Sequence, residues 1–258
     1  MRYLPYAHRM NTEAILEKIH ILYEDNDIVV IDKPSGIAVH EDGRVNAPTV
    51  VDWLLMHARD AKGVGEPGKG PDGSALERSG VVHRLDKDTS GVLLLVKHQD
   101  AFIHMKAQFH DRRVKKEYRA FVYGTMKEKW GTITRQIGRS PSNFKLRSSE
   151  KGARGLLRDA QTDWELIGQS EKYAYLRLLP KTGRMHQLRV HLKSMSRPII
   201  GDALYAPASL REENALGFTR LALHAYSLAT VIPSGEEKVF IAPIPPDFEV
   251  AETALATI

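Results

Sequence analysis

The 258-residue sequence contains no cysteine, and this absence excludes several kinds of site at once. Disulfide frameworks, thiolate nucleophiles, cysteine-ligated zinc sites and iron–sulfur clusters all require that residue. Long apolar runs are missing too, since the longest aliphatic stretches are residues 28–31 and 92–96. A transmembrane helix needs roughly 18 apolar residues or more. We therefore expect a cytoplasmic protein without a membrane segment.

Positive charge is present in slight excess and is unevenly distributed. The chain has 37 Lys and Arg against 32 Asp and Glu, a formal net charge of +5. Residues 131–159 contain seven bases and two acids, and residues 181–197 contain five bases and no acid. A run of this length without a compensating carboxylate favours a phosphate-facing surface over an ordinary solvated face. The charge pattern therefore predicts a polyanionic partner.

Hydrophobic periodicity predicts a mixture of helices and strands. We expect helices to begin after Thr49 and Asp100, each predicted as an N-cap. Beyond residue 182 a helical pattern places Arg189, Lys193 and Arg197 in a basic stripe. Strands are predicted at residues 28–31, 92–97, 118–123, 162–167 and 173–179. Several successive strands without intervening helices favour an antiparallel-rich α+β sheet.

Residues 62–79 are crowded with glycine, proline and charge, which predicts a flexible surface insertion. Gly63–Lys69 matches the first seven positions of a phosphate-binding P-loop, but Gly70 stands where the motif needs Ser or Thr. Residues 86–91 imitate half of a calcium loop, but Lys97 occupies the position of its bidentate Glu. We therefore expect no metal site and no nucleotide cofactor.

Residues 81–96 carry the densest cluster of chemically useful groups. One apolar segment leads into a polar turn, and a second apolar segment leaves it, which would hold Asp86 on a rigid rim. The three polar residues that follow can be explained as turn caps, namely Asp88, Thr89 and Ser90. That explanation does not account for His83, Arg84 and Asp86.

The string His83-Arg84-Leu85-Asp86, followed by Thr89-Ser90-Gly91, resembles the catalytic motif of the RluA family of RNA pseudouridine synthases. Further matches to the family occur in the same order along the chain. They are the segments 32–36 with 39–40, 116–120, 181–191, 198–202 and 223–225. The resemblance covers about Leu22 to Phe248, nearly the whole chain.

The resemblance implies the pseudouridine synthase fold, an α+β fold with a mixed, mainly antiparallel sheet flanked by helices and a central catalytic cleft. We expect the catalytic domain at residues 22–250, interrupted by the insertion at about 62–79. Residues 1–21 are then an N-terminal extension instead of the family's S4 domain, and residues 251–258 a C-terminal tail. We expect a monomer that acts on ribosomal or transfer RNA without a cofactor.

The resemblance also implies roles for individual residues. Asp86 is the essential carboxylate, acting on the ribose C1′ or on the uracil ring, and both routes stay open. Tyr118 stacks on the target base and takes part in proton transfer from C5, and Arg184 pairs with the carboxylate. Arg84 is the candidate for filling the gap that the extruded base leaves. RNA contacts are expected from His83, Lys181, His186, Gln187, Arg189 and Lys193, with Arg112, Arg113 and Lys115 as further candidates.

Two alternatives predict different behaviour. A catalytically silent RNA-binding or assembly factor of the same fold would depend on its surface charges and not on Asp86. A nucleotide hydrolase would bind ATP through the loop that contains Lys69. The joint presence of Asp86, Tyr118 and Arg184 weighs against the first alternative, and the incomplete P-loop weighs against the second.

Overall fold

The computed structural model describes residues 16–41, 43, 47–70, 73–141, 146–149, 153–212 and 214–257. The chain divides into two compact units. The first comprises the residues up to Val114 together with Ser227–Ala242, and the second comprises Lys115–Tyr226 and the residues from Pro243 onward. Residues 1–15 of the expected N-terminal extension lie outside the described residues. Among the described helices, none is both long and apolar enough to cross a membrane.

The first unit is built on an antiparallel sheet whose strands β2 and β5 are buried. Strand β2 (Ile28–Lys33) pairs with β1 (His20–Glu24) on one side and with β5 (Ser90–Val96) on the other. Every residue of β5 is buried, which explains why its sequence is continuously aliphatic instead of alternating. Residues of helix α2 (Gln99–His110) share the core of this sheet, among them Phe102 and Met105. The polar turn that precedes β5 therefore rests on a rigid strand.

The two α-helices of this unit begin after different kinds of N-cap residue. Helix α1 (Val50–His57) begins after Thr49, as predicted, with a reciprocal capping box between Thr49 and Asp52. The predicted cap of α2, Asp100, is wrong: His98 is the N-cap and accepts a hydrogen bond from the Ala101 N–H at 3.4 Å. Asp100 lies in the first turn, where an acid is favoured by the helix dipole instead of by capping geometry.

The predicted insertion contains a small hairpin. Strands β3 (Gly68–Lys69) and β4 (Ala75–Leu76) pair antiparallel, while residues 71–72 lie outside the described residues. The ends of the segment are tied together, because the Gly63 N–H donates to Ser79 Oγ at 2.6 Å. A short 3₁₀ helix, Arg59–Ala61, leads into it. The flexibility of the segment stays a prediction.

The second unit contains a four-stranded antiparallel sheet in the order β6-β12-β11-β7. Its strands are β6 (Lys115–Tyr123), β7 (Trp130–Thr134), β11 (Gln161–Gln169) and β12 (Tyr173–Pro180). Phe121 stacks on Tyr175 with ring centroids 4.2 Å apart, and Phe248 packs edge-on against both rings. Consecutive antiparallel strands confirm the α+β class expected from the sequence.

Smaller elements complete the second unit. Strand β8 (Ile137–Arg139) lies between β9 (Arg147–Ser148) and β10 (Arg154–Arg158) in a separate three-stranded sheet. The helices are α3 (Gln187–Ser194), α4 (Ala208–Glu212) and α5 (Pro246–Leu255). Helix α5 includes residues 251–255 of the segment expected to be a tail. Strand β13 (Leu223–Val231) begins in this unit and ends in the first, where it pairs with β14 (Glu237–Ile241).

Candidate active site

Asp86 lies in a tight turn immediately before strand β5. The Thr89 N–H donates to the Asp86 carbonyl at 3.1 Å and closes the turn. Leu85 and Thr89 are buried on either side, with 4% and 2% exposure, while Asp86 itself is half-buried. Because its neighbours anchor the backbone, the Asp86 carboxylate is held near the surface by a rigid support, as a nucleophile requires.

Lys33 fastens this turn to the end of strand β2. Its side chain is completely buried, and its ammonium donates to the carbonyls of Pro34, Ile37 and Lys87 at 2.8, 2.9 and 3.0 Å. The Gly36 N–H also donates to the Lys87 carbonyl, at 2.9 Å. A buried ammonium is stable only where such oxygens replace its hydration. Sequence reasoning noted this segment as a family match but missed the role of Lys33 in holding the turn.

His83 points into the protein. Its Nε2 accepts a hydrogen bond from the Leu94 N–H at 3.0 Å, and its ring stacks on Phe109 with centroids 4.5 Å apart. A nitrogen that accepts from a backbone N–H carries no proton, so the ring is neutral in this arrangement. This bond gives His83 a structural role in holding strand β5, and its expected RNA contact stays a prediction.

Arg84 is exposed at the other edge of the turn. Its Nη1 lies 3.4 Å from Nε2 of His40, whose Nδ1 is 2.7 Å from the Glu41 carbonyl oxygen. An exposed guanidinium two residues before Asp86 can reach toward a bound nucleic acid. The role of Arg84 as the inserting side chain stays a prediction.

Tyr118 lies on strand β6 of the second unit, directly opposite Leu178 of β12. It is half-buried and packs against the core of that unit. Strand alternation places Glu117 on the opposite face, where its carboxylate binds Arg119 and Arg177, both at 2.7 Å. These ion pairs fix the strand that presents Tyr118.

Lys116 shares the face of Tyr118, because the two residues are two positions apart on one strand. Burial lowers the pKa of the Lys116 ammonium from its ordinary value. A Cβ built on Gly183 would lie 3.6 Å from Lys116 Nζ, which places this ammonium beside the loop that carries Arg184. Lys116 belongs to the matched segment 116–120, but the sequence analysis predicted no separate role for it.

The loop that carries Arg184 is organised by the side-chain amide of Gln187. Oε1 of Gln187 accepts from the Thr182 hydroxyl at 2.7 Å and from the Arg184 N–H at 3.0 Å. Nε2 donates to the Gln161 carbonyl and to Thr162 Oγ1, both at 3.0 Å. The amide is buried and its hydrogen bonds are internal, so the expected RNA contact of Gln187 is corrected to a structural role.

Arg184 itself is half-buried, and its Nε donates to the Asp159 carbonyl at 3.1 Å. This bond and the backbone bond to Gln187 set the direction of the side chain. His186 follows in the left-handed conformation (φ 55°), with Nδ1 2.7 Å from the Tyr205 hydroxyl. Lys181 is exposed at the start of the loop and forms an ion pair with Asp163 at 3.1 Å.

The predicted basic stripe does not exist as a surface feature. Arg189 is only 5% exposed, and its Nε and Nη2 donate to the two carboxylate oxygens of Asp202 at 2.8 and 2.7 Å. Helix α3 ends at Ser194, so Arg197 lies beyond it and donates to the Thr125 carbonyl at 2.5 Å. Lys193 is exposed. The expected RNA contact of Arg189 is thus corrected: helical spacing identified its face but not that this face packs inward against Asp202.

The three further basic candidates lie around the boundary between helix α2 and strand β6. Arg112, Arg113 and Lys115 are all exposed. Arg113 forms an ion pair with Asp111 at 3.3 Å. Exposure leaves their expected phosphate contacts open as predictions.

Comparison with known proteins identifies a common family for these motifs. The family model described as RNA pseudouridylate synthase matches residues 27–194. The chain is 38% identical over 230 residues to the ribosomal large subunit pseudouridine synthase D of Borreliella burgdorferi, covering 89% of this chain and 66% of that protein. An uncharacterized RNA pseudouridine synthase of Synechocystis is 37% identical over 235 residues, covering 90% and 67%. The chain thus spans about two thirds of the length of these curated relatives.

Solved structures agree with the sequence comparisons. Human RNA pseudouridylate synthase domain containing 4 matches with a TM-score of 0.72 and 26% identity, covering 98% of both chains. Human RNA pseudouridylate synthase domain containing 1 matches with a TM-score of 0.71 and 26% identity, covering 89% of this chain and 85% of the other.

Proposed function

Since this chain belongs to the RluA family of RNA pseudouridine synthases, which are isomerases, we propose that it converts uridine to pseudouridine in a folded RNA with Asp86 as the nucleophile. In this reaction the bond between N1 and the ribose C1′ breaks, the base turns, and a bond forms between C5 and C1′. The proton on C5 is lost and N1 gains one, so no redox partner and no group donor take part.

The observation that carries the proposal is the placement of Asp86. The carboxylate follows buried Leu85 in a turn that Lys33 clamps to strand β2, and the strand after it is wholly buried. Such a support holds a carboxylate in one position while it forms and breaks a covalent bond with the substrate. The attack occurs at C1′ or on the uracil ring.

Tyr118 and Arg184 complete the proposed chemistry. The phenol ring of Tyr118 stacks on the target base, and its hydroxyl takes part in removing the proton from C5. The guanidinium of Arg184 offsets the negative charge of the reacting carboxylate through a bidentate fork. The ion pairs of Glu117 and the amide of Gln187 hold these two residues in place.

A uridine within folded RNA must leave its stack to reach the carboxylate, and extruding it costs a few kcal/mol. Stacking on an aromatic ring returns about 1–3 kcal/mol, so phosphate contacts supply the remainder. We assign Arg84 to the gap left by the base, and the exposed Lys181 and Lys193 to phosphates. The name of the Borreliella relative favours large-subunit ribosomal RNA as the substrate, with transfer RNA as the alternative outcome.

The test compares Asp86→Asn with Asp88→Asn, a matched control in the same turn whose carboxylate is exposed. Both replacements remove one carboxylate without changing side-chain size. We expect Asp86→Asn to abolish tritium release from C5-labelled uridine in RNA while RNA binding and the circular dichroism spectrum persist, and Asp88→Asn to keep its activity. Turnover by Asp86→Asn would refute the nucleophile assignment.

Mapping pseudouridine in ribosomal and transfer RNA from cells with and without the gene identifies the substrate. A site that disappears in the deletion strain and returns with the wild-type chain, but not with Asp86→Asn, supports the proposal. If no modified site changes while ribosome assembly does, the chain acts as a silent assembly factor instead.

A further inference from the structure

The small sheet of the second unit aligns three arginines across its strands. In the antiparallel register, Arg147 of β9 lies directly opposite Arg139 of β8, and Arg139 lies directly opposite Arg154 of β10. Directly opposite residues in an antiparallel pair project from the same face, with Cβ atoms about 4.5–5.5 Å apart. We call Arg147, Arg139 and Arg154 the arginine row.

The arginine row has no compensating negative charge in the part of the chain that the structure describes. There, no salt bridge joins any of its members to a carboxylate, and the one side-chain bond found is from Arg147 Nη1 to the Leu146 carbonyl at 3.3 Å. Residues 135–158 contain seven bases and a single acid, Glu150. Like charges directly opposite one another destabilise a sheet. An uncompensated row of this kind is therefore suited to an external anion.

The arginine row is also accessible. Arg139 and Arg154 are exposed and Arg147 is half-buried. All five residues of strand β10 are exposed, including Arg158 at its far end. The three residues stand side by side on three neighbouring strands, an extended arrangement instead of a closed pocket. This shape fits a chain of phosphates better than a single small anion.

The arginine row connects to the loop that carries Arg184 through Tyr205. The Arg147 N–H donates to the Tyr205 hydroxyl at 3.0 Å, and the same hydroxyl lies 2.7 Å from Nδ1 of His186. The ring of Tyr205 packs in one buried cluster with Ile137, which precedes Arg139 by two residues on strand β8. Two hydrogen bonds through Tyr205 thus connect the arginine row to the loop that carries Arg184.

We propose that the arginine row binds consecutive phosphates of the substrate RNA strand close to the uridine that is modified. The inference rests on the proposed action on RNA and adds a binding site outside the family motifs. Guanidinium forks match phosphate oxygens bidentately, so each arginine can hold one phosphate. The hydrogen bonds through Tyr205 then fix the register between the bound strand and the loop of Arg184.

The test replaces the three arginines together by glutamine, which is shorter but still polar, and so removes three charges. The matched control replaces Arg59, Lys62 and Arg211 by glutamine, three exposed bases outside the row. The affinity of each full-length protein for a uridine-containing RNA is measured between 0.05 and 1 M salt. Circular dichroism and thermal melting verify that both variants fold.

For single-stranded contacts, log affinity falls with log salt by about 0.7 for each phosphate neutralised. Removing three contacts should reduce the slope by about 2 and weaken binding about 100-fold at 0.1 M salt, with the two affinities converging near 1 M salt. The control triple variant should keep the wild-type slope. An unchanged slope in the row variant, or an equal loss in the control, overturns the proposal.

Failure of this inference and failure of the proposed function give different results. If the wild-type chain forms pseudouridine and the row variant does so with wild-type salt dependence, the arginine row is not an RNA site and the proposed function stands. If the wild-type chain binds RNA through the row but never forms pseudouridine, the row is supported and the enzymatic proposal fails. If the row instead governs binding of an acidic protein and leaves RNA affinity unchanged, the inference is refuted.

Discussion

Replacing Lys33 by methionine should loosen the turn that carries Asp86. Methionine is close to lysine in length but has no charge and no hydrogen to donate. The change removes the ammonium from the Pro34, Ile37 and Lys87 carbonyls. Among the described residues, only the Lys87 carbonyl has another hydrogen-bond donor, the Gly36 N–H.

The size of the effect follows from these contacts. All three carbonyls lose the ammonium, the Pro34 and Ile37 carbonyls are left without a donor, and each buried acceptor left unsatisfied costs about 1–3 kcal/mol. Removing a buried ammonium also removes the cost of keeping its charge out of water, which offsets part of this loss. We expect the free energy of unfolding to fall by about 2–4 kcal/mol. For a chain of this size that corresponds to a melting temperature lower by about 5–15 °C.

Urea unfolding followed by circular dichroism measures the loss, and tritium release measures the accompanying fall in kcat. The matched control is Lys87→Met, because the Lys87 side chain is exposed and only its carbonyl takes part in the clamp. A Lys33→Met stability within about 0.5 kcal/mol of the wild type, the usual range for surface changes, or an equal loss in the control, would contradict this role of Lys33.

Three further changes probe buried groups elsewhere. Arg189→Met leaves the Asp202 carboxylate buried without its guanidinium, and should lower the free energy of unfolding in urea by about 3–5 kcal/mol. Adding Asp202→Asn should recover part of that loss, and a double variant with no recovery would contradict the pairing. Gly80→Ala should lower the melting temperature more than Gly36→Ala, because both have positive φ but only at Gly80 would a Cβ lie 2.5 Å from a backbone carbonyl oxygen. Burial lowers the pKa of His191, so as the pH falls this residue takes up a proton in the unfolded chain before it does so in the folded one. The free energy of unfolding should therefore decrease as the pH drops below about 6.5. A His191→Asn variant that retains the same pH dependence would contradict this assignment.

Local patterns in the sequence identified the long buried strands and three of the helices, but fewer than half of the regular elements found among the described residues. The aliphatic run before Lys33 and the run after Asp86 are buried strands, as predicted, and Thr49 caps its helix. These features depend on residues close together in the chain, namely a capping box, turn residues and apolar stretches. The family motifs added the fold class, which the structural comparison confirms. The roles of Asp86 and Arg184 stay predictions.

Predictions from the sequence were wrong where a polar side chain could bind either RNA or another group of the protein. Gln187 and Arg189 were expected to contact RNA, and each is buried and bonds to the protein's own groups. Amide, guanidinium and imidazole groups suit a buried network as well as a nucleic acid, so residue type alone does not separate the two uses. The partners of these groups, such as Asp202 for Arg189, are distant enough in the chain that spacing does not reveal them.

What the sequence determined by itself was therefore the family, the class of fold, and the positions of the motif residues, because these are encoded in short contiguous strings. Tertiary structure decided which polar side chains face inward, how Lys33 holds the turn of Asp86, and that three arginines from separate strands form one row. The physical reason is that burial, strand register and hydrogen-bond partnership are properties of segments brought together by folding, whereas periodicity and motif spacing are properties of one segment alone.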